Sequence, residues 1–107
     1  MIITTTPQIE GKQIIEYKQV VFGEVVAGTN FIRDFFAGIT DILGGRSKMY
    51  ESKITSAREN ALLEMEKNAQ KIGANAVVGV EVNYTSIHGD GKSMFMIVAS
   101  GTAVVVR

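Results

Sequence analysis

This sequence predicts an α+β domain in which an antiparallel sheet packs with one long and one shorter helix. Three observations predict it: β-branched runs at both ends of the chain, a helical apolar stripe in the middle, and a return to period two after Gly73. At 107 residues and 11.6 kDa, with 46% hydrophobic and 21% charged residues, the chain is long enough for one folded domain, covering 1–107, and too short for separate cofactor and substrate domains.

The first runs are Ile2–Thr6 and Ile14–Val26, rich in Ile, Val, Thr and Tyr, which suit a pleated, half-buried surface. Pro7 and Gly11 between them read as a turn. Gly23 interrupts the second run and predicts a bulge or bend there. The period then changes. Phe31, Ile32, Phe35, Phe36, Ile39, Ile42 and Leu43 recur at helical spacing behind Asn30 as N-cap, and Gly44-Gly45 ends this shorter helix. The long helix follows, with Ser47 as its cap and Tyr50, Ile54, Ala57, Ala61, Met65, Ala69 and Ile72 as its apolar stripe. Glu64 and Lys67 are placed to pair at i,i+3, and Gly73 stops the helix.

Beyond Gly73, strict alternation sends Ala76, Val78, Val80, Val82 and Tyr84 to one side and Val77, Gly79, Glu81, Asn83 and Thr85 to the other. His88–Lys92 reads as a turn, giving a hairpin with Met94–Val106. That last strand is apolar on both faces. Met94, Met96, Val98, Val104 and Val106 share one face; Phe95, Ile97, Ala99, Ala103 and Val105 share the other. A strand apolar on both sides needs cover on both. Fully extended it spans ~40 Å, so it either bends at Ser100-Gly101 or serves a second subunit. The shorter helix can cover one face and the long helix the other, so self-association is expected but not required by this pattern.

Composition narrows function. Zero cysteines exclude a disulfide framework, thiolate zinc and a cysteine nucleophile. Lys+Arg 11 against Asp+Glu 11 leaves no cationic surplus for nucleic acid. Met1–Lys12 lacks the pattern of a signal peptide, and no apolar run reaches the ~20 residues that cross a bilayer. A cytoplasmic protein without nucleic-acid or membrane partners is expected. The Phe31/Phe35/Phe36 helix carries Asp34 and Asp41 against one arginine, the wrong sign for anionic lipid.

Candidate sites are few. Gly44-Gly45-Arg46-Ser47-Lys48 stands before a helix, where free N–H groups with Arg46 and Lys48 could hold a phosphate or carboxylate, yet no P-loop spacing is present. A helix stop followed by a cap explains the same residues. Arg33 and Asp34 adjoin on the polar side of the shorter helix, as an ion pair or subunit contact would. His88, the sole histidine, lies near Asp90, and one His gives an incomplete metal set unless symmetry gathers several. No catalytic residue, metal ligand or cofactor is assigned. The five methionines read as flexible core filler.

Several segments then match a known pattern: Gly23-Glu-Val-Val-Ala-Gly28, Asn30-Phe-Ile-Arg-Asp34, Asp41-Ile-Leu-Gly-Gly-Arg-Ser47, Tyr50-Glu51, Ala57-Arg58, Gly73-Ala-Asn-Ala-Val-Val-Gly79 and Gly101-Thr-Ala-Val104. Their order resembles the YbjQ family over nearly the whole chain. The resemblance implies a dodecin-like α+β subunit that closes into a homo-oligomeric ring, typically a pentamer, and it carries a heavy-metal-binding label. The leading expectation is a non-enzymatic ring-forming protein that binds a small molecule or anion between subunits. The alternative is a heavy-metal-binding protein. The residues placed at such a ligand site are Asn30, Arg33, Asp34, Arg46 and Ser47, of which the first three and the last two fall in matched segments.

Overall fold

The computed structural model describes residues 1–27, 45–89 and 92–107. Four strands and one helix run in the order β1 (Ile2–Ile3), β2 (Ile14–Ala27), α1 (Gly45–Lys71), β3 (Ala76–Gly89) and β4 (Lys92–Val106). They form an α+β fold with a single four-stranded sheet, ordered β1-β3-β4-β2. The expectation of a purely antiparallel sheet is corrected at one edge: β1 pairs with β3 in parallel, Ile2 opposite Ala76 and Ile3 opposite Val77. The chain from β1 crosses to the far edge as β2 and comes back through α1, so strand direction at β1 is set by connections that local pattern does not encode. The shorter helix expected at Asn30–Leu43 lies outside the described residues.

Helix α1 packs on one sheet face. Ala61, Met65 and Ala69 of its stripe are fully buried, with Ala57 and Ile72 packed beside them. Facing them are Val21 of β2, Val77 and Val80 of β3, and Ile97, Ala99 and Ala103 of β4. The helix begins at Gly45, so Ser47 stands inside the first turn and is not the cap that the sequence suggested. Its end is as expected. Ala74 N–H reaches Ala69 O at 3.1 Å, Gly73 N–H reaches Gln70 O at 3.0 Å, and Gly73 has φ +84°. This is a Schellman stop, which needs the left-handed residue that glycine supplies without strain. The Glu64–Lys67 pair is not formed; the ion pairs among the described residues are Met1 ammonium–Glu66 at 3.8 Å and Lys18–Glu16 at 3.2 Å.

Gly23 does not bulge the strand. It sits in register opposite Ala99, and the irregularities of β2 lie nearer its start, between Ile14 and Glu16 and between Tyr17 and Gln19. A Cβ on Gly23 would collide with the carbonyl oxygen of Ala61 and stand 2.5 Å from Met65 N. The missing side chain lets the helix backbone lie directly on the strand.

The alternation expected for β3 breaks at Gly79. One extra residue falls between Val78, opposite Thr102, and Glu81, opposite Ser100. Gly79 takes φ +62° there. The bulge reverses the facing of every later residue, so Val77 and Val80 share the helix face while Ala76 and Val78 join Val104 and Val106 on the outer face. Strand β4 keeps both of its expected faces. It runs through Ser100-Gly101 as one strand, with the irregularity on its partner. His88, expected in the turn, is a strand residue opposite Ser93.

Candidate interaction surface

Among the described residues, the outer sheet face is covered at one end only. There Ile9 and Ile14 pack on Ala76, Val78, Val104 and Val106. Lys12 N–H bonds Ile9 O at 3.1 Å, and Gln13 and Arg107 exchange both backbone hydrogen bonds, at 3.1 and 3.0 Å, which fixes the loop that brings Ile9 over. Farther along, the face is bare among the described residues. Val20, Phe22 and Val26 of β2 are 56%, 50% and 53% exposed, and Met94 of β4 is 42% exposed. Their facing follows from the register: Val21, Gly23 and Val25 point to the helix, so the residues between them point away. Isolated exposed apolar side chains are ordinary; several together on one face mark a surface that associates.

Both sheet edges are open over long stretches of the described residues. Contact between the N-terminal segment and β3 ends with Thr4 N–H to Val77 O at 3.0 Å, Val80 N–H to Thr4 O at 3.1 Å and Gly79 N–H to Thr6 O at 2.9 Å. From Glu81 to Gly89, β3 pairs with β4 on one side only. On the opposite edge, β2 pairs only with β4 among the described residues. At Phe22 its outward carbonyl accepts from Asn68 Nδ2 of α1 at 2.7 Å.

Among the described residues, two open clefts adjoin β2. One, of about 330 Å³, runs between β2 and the end of α1 and is lined by Gln19–Phe22, Asn68, Lys71 and Ile72. The other, of about 300 Å³, is lined by Gln8, Lys12, Gln13, Ile14 and Tyr17. Each offers amide groups and one lysine, a set suited to binding a polar or anionic group. Among the described residues, no three His, Cys, Asp or Glu side chains come together as a metal would require.

Of the five residues that the sequence pointed to, Asn30, Arg33 and Asp34 lie outside the described residues. Arg46 and Ser47 are helical positions in the first turn of α1, where a preceding loop was expected. The sequence did not point to Asn68 or Asn75. Asn75 lies in a segment matched to the YbjQ pattern, which was the available signal; Asn68 had none.

The fold defines a small α+β domain with a mixed four-stranded sheet and one described helix. Comparison with known proteins then places it. The family described as "Putative heavy-metal-binding", YbjQ, matches residues 1–107. A UPF0145 protein of Pasteurella multocida strain Pm70 is 80% identical over the full length of both chains. UPF0145 proteins of Actinobacillus pleuropneumoniae serotype 5b and Listeria monocytogenes serotype 4a are 67% and 56% identical, covering 100% of this chain and 100% and 96% of theirs. The chain belongs to the YbjQ (UPF0145) family. A crystal structure of a DUF74-family protein of unknown function from Pediococcus pentosaceus ATCC 25745 superposes with TM-score 0.66 at 17% identity, covering 100% of this chain and 98% of that one, which is a likeness of fold. No helix among the described residues is long and apolar enough to cross a membrane.

Proposed function

We propose that this is a self-associating, non-catalytic binding protein whose subunits join through their sheet edges and hold a small molecule or anion between them. One observation carries the reading: among the described residues, a sheet with two long open edges and an exposed apolar outer face between them. An open edge is a template for another strand, and pairing it with a second copy removes the hazard of uncontrolled pairing. Because β2 and β3 are both antiparallel to β4, they run parallel to each other. Rotation about an axis along the strands preserves that direction, so head-to-tail association pairs β2 with a neighbour's β3 in parallel, and it closes as a ring where the rotation per subunit divides a full turn. The shape agrees: the radius of gyration is 16.9 Å and the longest dimension 52 Å, against ~13 Å expected for the radius of a compact chain of this size. Five subunits and the dodecin-like assembly are what the family resemblance adds.

The clefts beside β2, with Lys71 and Asn68 in one and Lys12 and Tyr17 in the other, supply polar groups for a ligand at the subunit boundary. Native mass spectrometry of the untreated full chain tests the reading. A single closed oligomer that retains a small molecule is expected. A stable 11.6 kDa monomer at micromolar concentration by light scattering, or turnover in a hydrolase panel abolished by Arg46→Ala, overturns it.

A further inference from the structure

We infer that Met94 and Met96 form a two-sulfur site for a soft monovalent cation of the Cu(I)/Ag(I) class on the outer face of β4. The site needs one chain only and does not depend on self-association. Ile97 and Ala99 are fully buried against α1, so alternation sends Met94, Met96 and Val98 to the opposite face. Residues two apart in a strand are ~6.7 Å apart at Cα and point the same way. Two sulfurs that clasp one ion stand roughly 4.6 Å apart, twice a typical metal–sulfur bond. The unbranched methionine side chain, with three rotatable bonds, closes that difference easily.

The surroundings suit such an ion. Met94 is 42% exposed and Met96 half-buried, so a cation can enter and then lose part of its water. Opposite Met96 stand Val26 on β2 and Thr85 on β3, and opposite Val98 stands Glu24. Glu24 and Glu81 are exposed on the same face and add a negative field without supplying hard ligands in a cluster. Thioethers are soft, neutral donors that select Cu(I) and its redox-stable analogue Ag(I) over Zn(II). His88 is not part of this set. It pairs with Ser93 along the hairpin, one position beyond the Ile87–Met94 pair.

The test uses the full chain labelled with 13C at the methionine methyls, titrated with silver nitrate in chloride-free buffer. Five methyl signals are available, from Met1, Met49, Met65, Met94 and Met96. The expected result is one Ag(I) per chain, with the Met94 and Met96 methyls shifting together and Met65 unmoved. Met94→Leu and Met96→Leu each weaken silver binding at least tenfold, His88→Ala leaves it unchanged, and Zn(II) shifts neither methyl. No shift of these two signals at fivefold excess silver overturns the site. So does undiminished binding in the Met94→Leu/Met96→Leu double variant, or binding that is lost with His88→Ala.

Discussion

Asn75 completes the sheet with its side chain, holding Val106 at both backbone groups. Its Oδ1 accepts from Val106 N–H at 2.8 Å, and its Nδ2 donates to Val106 O at 2.9 Å. The Asn75 backbone N–H meanwhile donates to Val104 O at 3.0 Å. The chain leaving α1 is thereby locked to the last strand one residue before β3 begins. Both side-chain bonds are partly buried, and a net ~0.5–1.5 kcal/mol for each is typical. Asn75→Ala is therefore expected to lower unfolding free energy by about 1–3 kcal/mol, measured as a fall in the urea midpoint with unchanged slope. An unchanged midpoint would show that water replaces both bonds without loss.

Gly23 and Gly79 make opposite demands, and paired substitutions separate them. At Gly79 the backbone is left-handed and nothing lies within 4 Å of an added Cβ. Gly79→Ala should cost about 1–2 kcal/mol from backbone strain alone, and Gly79→Asn less, because asparagine tolerates that region. At Gly23 the obstacle is the backbone of α1 itself, at Ala61 and Met65, which no rotamer change relieves. Gly23→Ala should cost about 3 kcal/mol or more, and Gly23→Asn at least as much. Thermal melts of the four variants read both orders directly.

These two glycines also show how far the sequence could be read. Apolar stripes at period 3.6 and period two located α1, β2, β3 and β4, because burial of one face leaves its spacing in the sequence. A glycine inside a strand signals a bulge or a close approach, and only the element that crosses it decides which. At Gly23 the crossing helix decided for approach. At Gly79 a single extra residue reversed the facing of Val80 and Val82, which a strict alternation rule cannot register. The parallel pairing of Ile2 with Ala76 depends on a contact 74 residues away in sequence, beyond any local pattern. The candidate surface was legible in its composition, as an apolar last strand, but not in its extent: Val20 and Val21 are identical in chemistry, and only the position of α1 leaves the first exposed and buries the second.

Met65 is the largest fully buried side chain where α1 crosses the sheet. Truncation to alanine leaves a cavity between two backbones already held in contact at Gly23, so neighbouring groups cannot collapse inward to fill it. Met65→Ala is expected to destabilise by about 2–5 kcal/mol, whereas Leu63→Ala, at a 49% exposed position of the same helix, should cost about 0.5 kcal/mol or less. Chemical denaturation of both variants measures the difference, and equal losses would place the core elsewhere.

The open edge of β3 gives the most direct handle on self-association. Val80 N–H points outward, to Thr4 O, and backbone direction alternates along a strand, so Ser86 N–H points outward as well. Ser86 is exposed, and β4 lies on its other side, opposite Phe95. Proline here removes a donor that the β3–β4 ladder does not use, a substitution that edge strands tolerate. Within the folded subunit, Ser86→Pro should therefore leave circular dichroism intact and lower stability by about 1 kcal/mol at most. If a neighbour's β2 pairs along this edge, the same change deletes an intersubunit hydrogen bond and places a ring against the incoming strand. Association should then weaken at least tenfold, seen by sedimentation velocity as a shift from oligomer toward an 11.6 kDa species. An Asn83→Ala control is expected to leave the sedimentation profile unchanged, because Asn83 is exposed on the outer face and alanine keeps the backbone N–H. An undisturbed oligomer in Ser86→Pro would move the contact away from this edge.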